Sequence, residues 1–279
     1  MNVVGLGTAG CAIADIFAQY PQYNIFKIDV GLKGLKKDGI FNFPKLKGYE
    51  QHEEKCPSFK SFFKSVTGDV IFVLAGSGKI SVACLRILES LQGCNIHVVY
   101  IRPDLELVSG PAKQAENVCF NVLQEYARSG LLDRITLIEN KKIQDIVGPQ
   151  PLRSIMPSIN NHIVSTIHMN NVFRHGNPDY SVEAETSDIA RISTYGLVDV
   201  VSGEEKWFFP LDNIVEKGYI YAISSDDVES DGDLLGRVTA QVKERSEDGA
   251  VSVSFSIHST EYEQNLCYAT AKTHILQGA

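Results

Sequence analysis

Three glycines near the start of the chain, Gly5, Gly7 and Gly10, have the spacing of a phosphate-binding turn. Glycine lets the backbone turn tightly and lets N–H groups approach an anion, and a helix that begins at the turn directs its positive dipole end to the same point. Asp29 follows about 20 residues later, so the pattern satisfies the dinucleotide-binding fingerprint, in which an acidic residue bonds the ribose. Taken alone, this spacing is permissive, and it suggests an NAD-binding oxidoreductase.

A second glycine turn, Ala75-Gly76-Ser77-Gly78-Lys79, follows the apolar run Val70–Leu74. A dinucleotide fold needs one phosphate loop, whereas two such turns at neighbouring strand ends suit a chain of phosphates held from both sides. The turn is not a Walker A loop, because the Gly-x-x-x-x-Gly-Lys-Ser/Thr pattern is absent. The alternative is that Gly76 and Gly78 only make a tight connection between a strand and a helix.

Strands and helices that could position these turns alternate through the first half of the chain. Apolar runs predict strands at 3–4, 25–28, 70–74, 96–101 and 135–138, helices at 11–20, 80–91 and 111–128, and a long loop at 31–47. Repeated β-α-β units give a doubly wound parallel sheet of the α/β class. Ligands of such sheets bind beyond the carboxyl ends of the strands, where both glycine turns are expected.

The pattern changes after residue 148, and a smaller β-rich domain of α+β character is predicted there. We expect a nucleotide-binding domain at 1–148, a central helix at 149–175 and a carboxyl-terminal domain at 176–279. Strands are predicted at 219–223, 236–242 and 251–257, with acidic loops between them. Because no helical crossovers of the earlier kind are evident, the sheet is expected to be mixed or antiparallel.

Composition excludes several classes of function. The 279 residues carry a net charge of -8 and no basic patch, which argues against direct nucleic-acid binding. No apolar run is long enough for membrane insertion and no signal-peptide pattern opens the chain, so a cytoplasmic protein is expected. The six cysteines include no CxxC pair, which favours reduced, buried thiols over a zinc site or disulfides, and no metal site is predicted.

The order of the motifs resembles the tubulin/FtsZ superfamily from Val3 to about Asp179. Gly5-Leu6-Gly7-Thr8-Ala9-Gly10 resembles the first phosphate loop of FtsZ, and residues 69–78 resemble the strand that leads into the tubulin signature. Arg102-Pro103 through Ala115-Glu116-Asn117 matches, without gaps, the FtsZ stretch from Lys-Pro to Ala-Glu.

Three further segments extend the resemblance. Leu137-Ile138-Glu139-Asn140 resembles the strand that ends in an Ile-Pro-Asn turn, and Ile159-Asn160-Asn161 resembles the Ala-Asn-Asp of the core helix. Asn177-Pro178-Asp179-Tyr180 resembles the synergy loop, which in that superfamily completes the active site of a neighbouring subunit.

The chain also departs from the superfamily pattern around the phosphates. The signature Gly-Gly-Gly-Thr-Gly-Thr/Ser-Gly is reduced to Ala75-Gly76-Ser77-Gly78, and Lys79 could supply a point charge instead. Cys11 stands where FtsZ carries an Asn after its first loop. The sequence therefore predicts fewer phosphate-binding donors than the superfamily pattern supplies.

Further departures affect the ribose, the base and hydrolysis. The ribose-binding Glu and Arg fall on Leu107 and Pro111, although Glu106 is adjacent. Asn161 replaces the base-reading Asp; an amide can pair with a purine edge but offers guanine only one acceptor oxygen. The second catalytic Asp falls on Val182, beside Glu183.

The resemblance implies a GTP- and GDP-binding protein, with Mg²⁺ as a further candidate, that associates with itself head to tail into filaments. It leaves open whether the protein hydrolyses GTP weakly or not at all. Small divergent members of the superfamily occur in bacteriophages and plasmids, which implies a prokaryotic or phage-infected host cytoplasm. A Rossmann-type NAD(P)-binding oxidoreductase and a nucleotide-free assembly protein remain as alternatives. The implied catalytic residues are Asp179 and Glu183, and the implied nucleotide contacts are Gly5, Gly7, Thr8, Gly10, Cys11, Asp29, Gly76, Ser77, Gly78, Lys79, Glu106, Asn140 and Asn161, the last two at the base.

Overall fold

The computed structural model describes residues 1–246 and 249–278, apart from the side chain of Lys37. These residues form two compact units: Met1–Val164 together with the segment that starts at Leu276, and Ser165–Ile275. None of the helices in these described ranges combines the length and apolar composition needed to cross a membrane.

Parallel strands form the sheet of the first unit. Its elements are β1 (Asn2–Leu6), α1 (Gly7–Phe17), β2 (Asn24–Val30), β3 (Ile40–Phe43), α2 (Tyr49–Glu54), β4 (Asp69–Ala75), α3 (Cys84–Glu89), β5 (Asn95–Arg102), α4 (Gly110–Arg128), β6 (Arg134–Glu139) and α5 (Asn140–Val147). The strands follow the order β3-β2-β1-β4-β5-β6, and each neighbouring pair is parallel. This is the order of a doubly wound sheet, whose direction of winding reverses between β1 and β4.

The central strands form because their residues are apolar on both faces. Val70 to Leu74 in β4 are all buried, as are Ile96 to Ile101 in β5. The loop predicted at 31–47 is wrong in part, because residues 40–43 form β3 beside β2. Phe41 and Phe43 are buried on either side of the exposed Asn42, and this alternation is typical of an edge strand. The pattern covers too few residues to predict a strand from sequence.

The helix α6 (Ile155–Arg174) crosses the boundary between the two units in sequence. The second unit then contains β7 (Tyr180–Val182), β8 (Ile192–Val198), β9 (Glu205–Trp207), β10 (Glu216–Ser224), α7 (Ser225–Ser230), α8 (Leu234–Arg245), β11 (Ser252–Thr260) and β12 (Leu266–Thr273). The strand order is β8-β12-β10-β11-β7, with β9 beside β8. β10 and β11 are parallel, whereas the remaining pairs are antiparallel, so the sheet is mixed as expected.

Two expectations for this unit are wrong. The strand predicted at 236–242 lies within α8, and α7 and α8 together make a helical crossover between the parallel strands β10 and β11. Leu234, Val238 and Val242 are spaced four residues apart and pack in one core with the tyrosines of β10. A spacing of four is the signature of a helix face, and it outweighs the strand preference of the two β-branched valines.

Candidate functional site

The carboxyl ends of β1 and β4 open into one cavity of about 460 Å³. Leu6 pairs with Leu74 across the two strands, so the turns that follow them start side by side. The cavity therefore lies where the winding of the sheet reverses, which is where doubly wound sheets bind ligands. Its walls include these predicted site residues: Gly7, Thr8, Asp29, Ser77, Gly78 and Lys79.

The first glycine turn presents the start of a helix to this cavity. α1 begins at Gly7, whose φ of 72° is left-handed, and no described side chain caps the helix start. The first amides of a helix have no acceptor within it, so the N–H groups of this turn are available to an anion. Gly7, Thr8 and Ala9 all line the cavity.

Gly5 and Gly10 serve backbone packing rather than the cavity wall. A Cβ at Gly5 would lie 2.3 Å from the carbonyl oxygen of Gly10, and a Cβ at Gly10 would lie 2.4 Å from that of Val73. Both contacts are too close for any side chain. The two glycines therefore allow β1, α1 and β4 to approach one another, and they support the helix start from outside the cavity.

Asp29 lies at the wall of the cavity, whereas Cys11 is buried. The Thr8 hydroxyl donates to Asp29 Oδ2 at 2.9 Å, and the amide of Val30 donates to Asp29 Oδ1 at 2.8 Å. The Cys11 thiol donates to the carbonyl oxygen of Gly5 at 3.4 Å. Burial, and after it the charge of Asp29, raises the pKa of Cys11 to about 12, so the side chain is a neutral packing group.

The second glycine turn retains fewer unused amides. The amide of Gly76 donates to Ile101 O at 3.1 Å, and that of Gly78 lies 3.5 Å from Ala75 O. Within residues 1–246 and 249–278, the amide of Ser77 has no acceptor. A 3-10 turn at Lys79–Ala83 follows instead of the predicted helix, and α3 begins only at Cys84.

Residues 45–52 form a wall of the cavity that sequence reasoning missed. Lys45, Leu46 and His52 line it, and the Tyr49 hydroxyl donates to Ser77 O at 3.3 Å. The Lys79 ammonium lies 3.4 Å from Lys47 O, so this segment also holds the second turn. The one available signal was the apolar alternation at β3, which places the segment beside the strand ends.

The cavity has the charge balance of an anion site. Lys45 and Lys79 contribute two positive charges to its lining and Asp29 one negative charge. His52 is buried and its Nδ1 lies 2.7 Å from Gly48 O, so it holds the local backbone. Amide donors at a helix start, together with these lysines, favour a phosphate-bearing ligand.

The remaining predicted nucleotide contacts lie outside the lining of this cavity. Glu106 is exposed, and its amide donates to Asp104 Oδ1 at 3.0 Å. Asn140 is the first residue of α5, and its buried Oδ1 has no hydrogen-bond partner in the part of the chain that the structure describes. Asn161 is exposed on α6. Asn140 therefore has an unused acceptor oxygen, whereas Glu106 and Asn161 lie on the surface.

Asp179 and Glu183, the predicted catalytic residues, belong to the second unit and are both exposed. The amide and the hydroxyl of Ser259 each donate to Asp179 Oδ2 at 2.6 Å, and these bonds hold the pKa of Asp179 below its usual value. Its own amide donates to Ile257 O at 2.8 Å. Asp179 is thus a fixed, ionised carboxylate beside β11.

A metal centre made by the protein alone finds no support in the described ranges. Among residues 1–246 and 249–278, no cluster of three His, Cys, Asp or Glu side chains is placed to hold an ion.

Solved structures of TubZ and FtsZ share this architecture. The structure is similar to the helical model of the TubZ-Bt four-stranded filament, with a TM-score of 0.73, 15% identity, and coverage of 97% of this chain and 85% of that one. It is also similar to an empty FtsZ dimer from M. jannaschii, with a TM-score of 0.70, 12% identity, and coverage of 98% and 87%. The chain has a tubulin/FtsZ-like fold.

A third similar structure is a GTPγS-form protofilament of TubZ from Bacillus thuringiensis serovar israelensis. Its TM-score is 0.66 at 16% identity, over 96% of this chain and 86% of that one. No protein-family model and no curated protein sequence matches the chain. The likeness to FtsZ and TubZ is thus one of fold, and it agrees with the resemblance found in the order of the motifs.

Proposed function

We propose that this tubulin-like protein binds GTP in the cavity between the β1 and β4 turns and assembles head to tail into filaments. The observation that carries the proposal is that both glycine turns, which are 70 residues apart in sequence, line one cavity at the reversal point of the sheet. Related folds support it, since TubZ protofilaments have been solved in GTPγS and GDP forms.

The phosphates are proposed to lie on the amides of the first turn of α1 and of Ser77. Lys45 and Lys79 offset their charge as compact ammonium groups, which replace the donors of a longer glycine signature. Mg²⁺ would enter bound to the phosphates, because this ion is generally held by one or two carboxylates together with substrate phosphates. Asp29, hydrogen-bonded to Thr8, is the proposed carboxylate on the cavity wall.

The base is proposed to meet the amide side chains of Asn140 and Asn161. Guanine presents N–H donors on the edge where adenine presents an acceptor and an amino group. The unused Oδ1 of Asn140 is an acceptor for such donors, and satisfying it would remove the cost of a buried, unpaired oxygen. This argument favours guanine over adenine.

Assembly is proposed from the filament and protofilament forms of the structural neighbours. A head-to-tail contact uses two different surfaces and does not close on itself, so it extends into a filament. In this arrangement Asp179 and Glu183 of one subunit would face the nucleotide of the next. Hydrolysis is expected to be slow, because Asp179 already accepts two hydrogen bonds from Ser259.

Calorimetry with GTP, GDP, ATP and NADH, combined with light scattering, tests the proposal. We expect GTP and GDP to bind more tightly than ATP, and scattering to rise when GTP is added. Tight NADH binding without assembly would replace the proposal with a dinucleotide-binding enzyme. Assembly that is indifferent to every nucleotide would instead identify a nucleotide-free assembly protein.

A further inference from the structure

A stripe of buried polar side chains lies next to the second glycine turn, outside the cavity. Glu116, Phe120 and Gln124 are spaced four residues apart on α4, and Tyr100 and Arg102 are two apart on β5, so each set shares one face of its element. Tyr100, Glu116 and Gln124 are 0% exposed and Arg102 is 7% exposed. Buried groups of this kind are costly unless they are paired, so their partners need an explanation.

The inner end of the stripe touches the turn. The Tyr100 hydroxyl donates to Glu116 Oε1 at 3.2 Å. Gly76 packs so closely on this pair that a Cβ there would lie 1.9 Å from the Tyr100 oxygen and 2.9 Å from Glu116 Cγ. The position of Tyr100 and Glu116 therefore limits where Gly76 can lie, and both sequence neighbours of Gly76 line the cavity.

The outer end of the stripe holds the segment Leu276–Gly278, which we call the strap. The amide of Gln277 donates to Gln124 Oε1 at 2.8 Å, and Gln124 Nε2 donates to Gln277 O at 3.3 Å. Gln277 is 3% exposed. A buried glutamine side chain thus pairs with both backbone groups of one residue, as a neighbouring strand would.

Arg102 joins the two ends. Its Nε lies 3.3 Å from Glu116 Oε1, its guanidinium lies 4.3 Å from the Phe120 ring centre, and its Nη1 donates to Gly278 O at 3.3 Å. The contact between Arg102 and Glu116 is an ion pair, because among residues 1–246 and 249–278 the Nε and Nη2 of Arg102 and the Oε2 of Glu116 have no hydrogen-bond partner. A buried polar network with unpaired groups is destabilised by the loss of any one of its hydrogen bonds. The strap supplies such a bond, from Arg102 to Gly278 O.

We propose that the strap is a positioning element for the second glycine turn, acting through Arg102, Glu116 and Tyr100 on Gly76. When the strap is docked, Arg102 holds Glu116, and Glu116 with Tyr100 fixes the turn. When it leaves, Arg102 loses an acceptor and Gln124 loses two partners inside the unit. If the turn binds phosphate as proposed above, strap docking and nucleotide binding must also strengthen each other by the same factor.

Hydrogen exchange of the nucleotide-free protein tests the coupling without relying on the proposed function. The Gln124→Leu variant removes both hydrogen bonds between Gln124 and Gln277 of the strap. Gln114→Leu makes the same chemical change at an exposed position of α4. We expect exchange of the strap and of residues 75–80 to rise about tenfold in Gln124→Leu, as for the loss of a buried hydrogen bond, and to stay unchanged in Gln114→Leu. Faster exchange of the strap alone would overturn the proposal.

A second variant decides the matter if Gln124→Leu does not fold. Gln277→Pro removes the amide donor of the strap and leaves α4 intact. It should also accelerate exchange at residues 75–80, and an unchanged rate there would contradict the proposal. GTP titration of the same variants separates the two ideas: absence of GTP binding by the unmodified protein would refute the proposed function, whereas the exchange result still decides the role of the strap.

Discussion

The two glycine turns have similar sequences but differ in what their glycines do. In the first, Gly5 and Gly10 allow three backbone segments to touch, and the first amides of the helix that begins at Gly7 have no acceptor within that helix. In the second, the amide of Gly76 is bonded to Ile101 O, and the turn is held by side chains, including the Tyr49 hydroxyl on Ser77 O. The first turn is therefore a rigid backbone scaffold, whereas the second is adjustable.

This difference explains how a shortened signature could still serve an anion. Amides at a helix start supply the donors and the dipole at the first turn without any particular side chain. At the second turn the Ser77 amide has no acceptor among the described residues, and Lys79 and Lys45 add charge that glycines cannot. Substitutions of the closely packed glycines should accordingly affect folding, whereas loss of the lysines at the second turn should affect ligand affinity.

The largest effect is expected for Gly10→Ala, which tests the scaffold role. The new Cβ would lie 2.4 Å from Val73 O, and neither backbone can move without separating α1 from β4. We expect a loss of about 3 kcal/mol in the free energy of unfolding, the upper end of overpacking effects, measured by urea denaturation. The matched control is Gly110→Ala at the start of α4, where a Cβ meets no atom of the described residues within 4 Å. An equally stable Gly10→Ala variant would refute the scaffold interpretation.

The second-largest loss in the free energy of unfolding is expected for Gly76→Ala, because its new Cβ would clash with side chains rather than with backbone. The Cβ would meet the Tyr100 hydroxyl at 1.9 Å, so the variant should lose about 2 kcal/mol. Tyr100→Phe removes that oxygen. The double variant should therefore be less destabilised than the two single variants together, by about 1 kcal/mol in a double-mutant cycle. Strict additivity would show that Tyr100 does not limit the turn.

Much of the first unit could be predicted from sequence, because its signals are local. The β4 run is apolar at every position and ends in glycine, and each glycine turn directly follows its strand. The 45–52 wall could not be found in the same way, since Lys45 and His52 reach the cavity only through the pairing of β3 with β2. The apolar alternation at β3 is a short local signal for the strand, but the approach of residues 45–52 to the cavity is set by tertiary packing.

The mistaken strand at 236–242 has a different cause. Val238 and Val242 favour strands by propensity, and Gly236 weakens a helix, so the residue types predicted a strand where the chain forms a helix. The spacing of Leu234, Val238 and Val242 carried the correct information, because each lies one helical turn from the next. The contact between Asp179 and Ser259 could not be predicted from sequence either, since 80 residues separate the two and no motif links them.

A moderate effect is expected for Lys79→Met, which tests whether charge replaces lost amides at the second turn. Its ammonium lines the cavity and is exposed enough for water to screen it, so its loss should weaken GTP binding about tenfold by calorimetry. GDP binding should fall less, because GDP lacks the γ-phosphate and carries less negative charge for Lys79 to offset. Lys64→Met, an exposed lysine outside the cavity lining, is the control. Equal losses in both variants would indicate only a general charge effect.

The smallest effect on the ligand is expected for Cys11→Ala, which sharpens the scaffold role of the first turn. The thiol is buried and faces backbone oxygens, so GTP affinity should change by about twofold or less, well under 1 kcal/mol. A larger loss would mean that Cys11 contacts the nucleotide.

The stability of the protein, by contrast, should depend on pH through Cys11. Burial raises the pKa of this thiol from 9.0 to about 12, so the unfolded chain loses its proton first, and folding becomes less favourable as pH rises between these values. Cys11→Ala should lose less stability over that interval in denaturation curves measured at each pH.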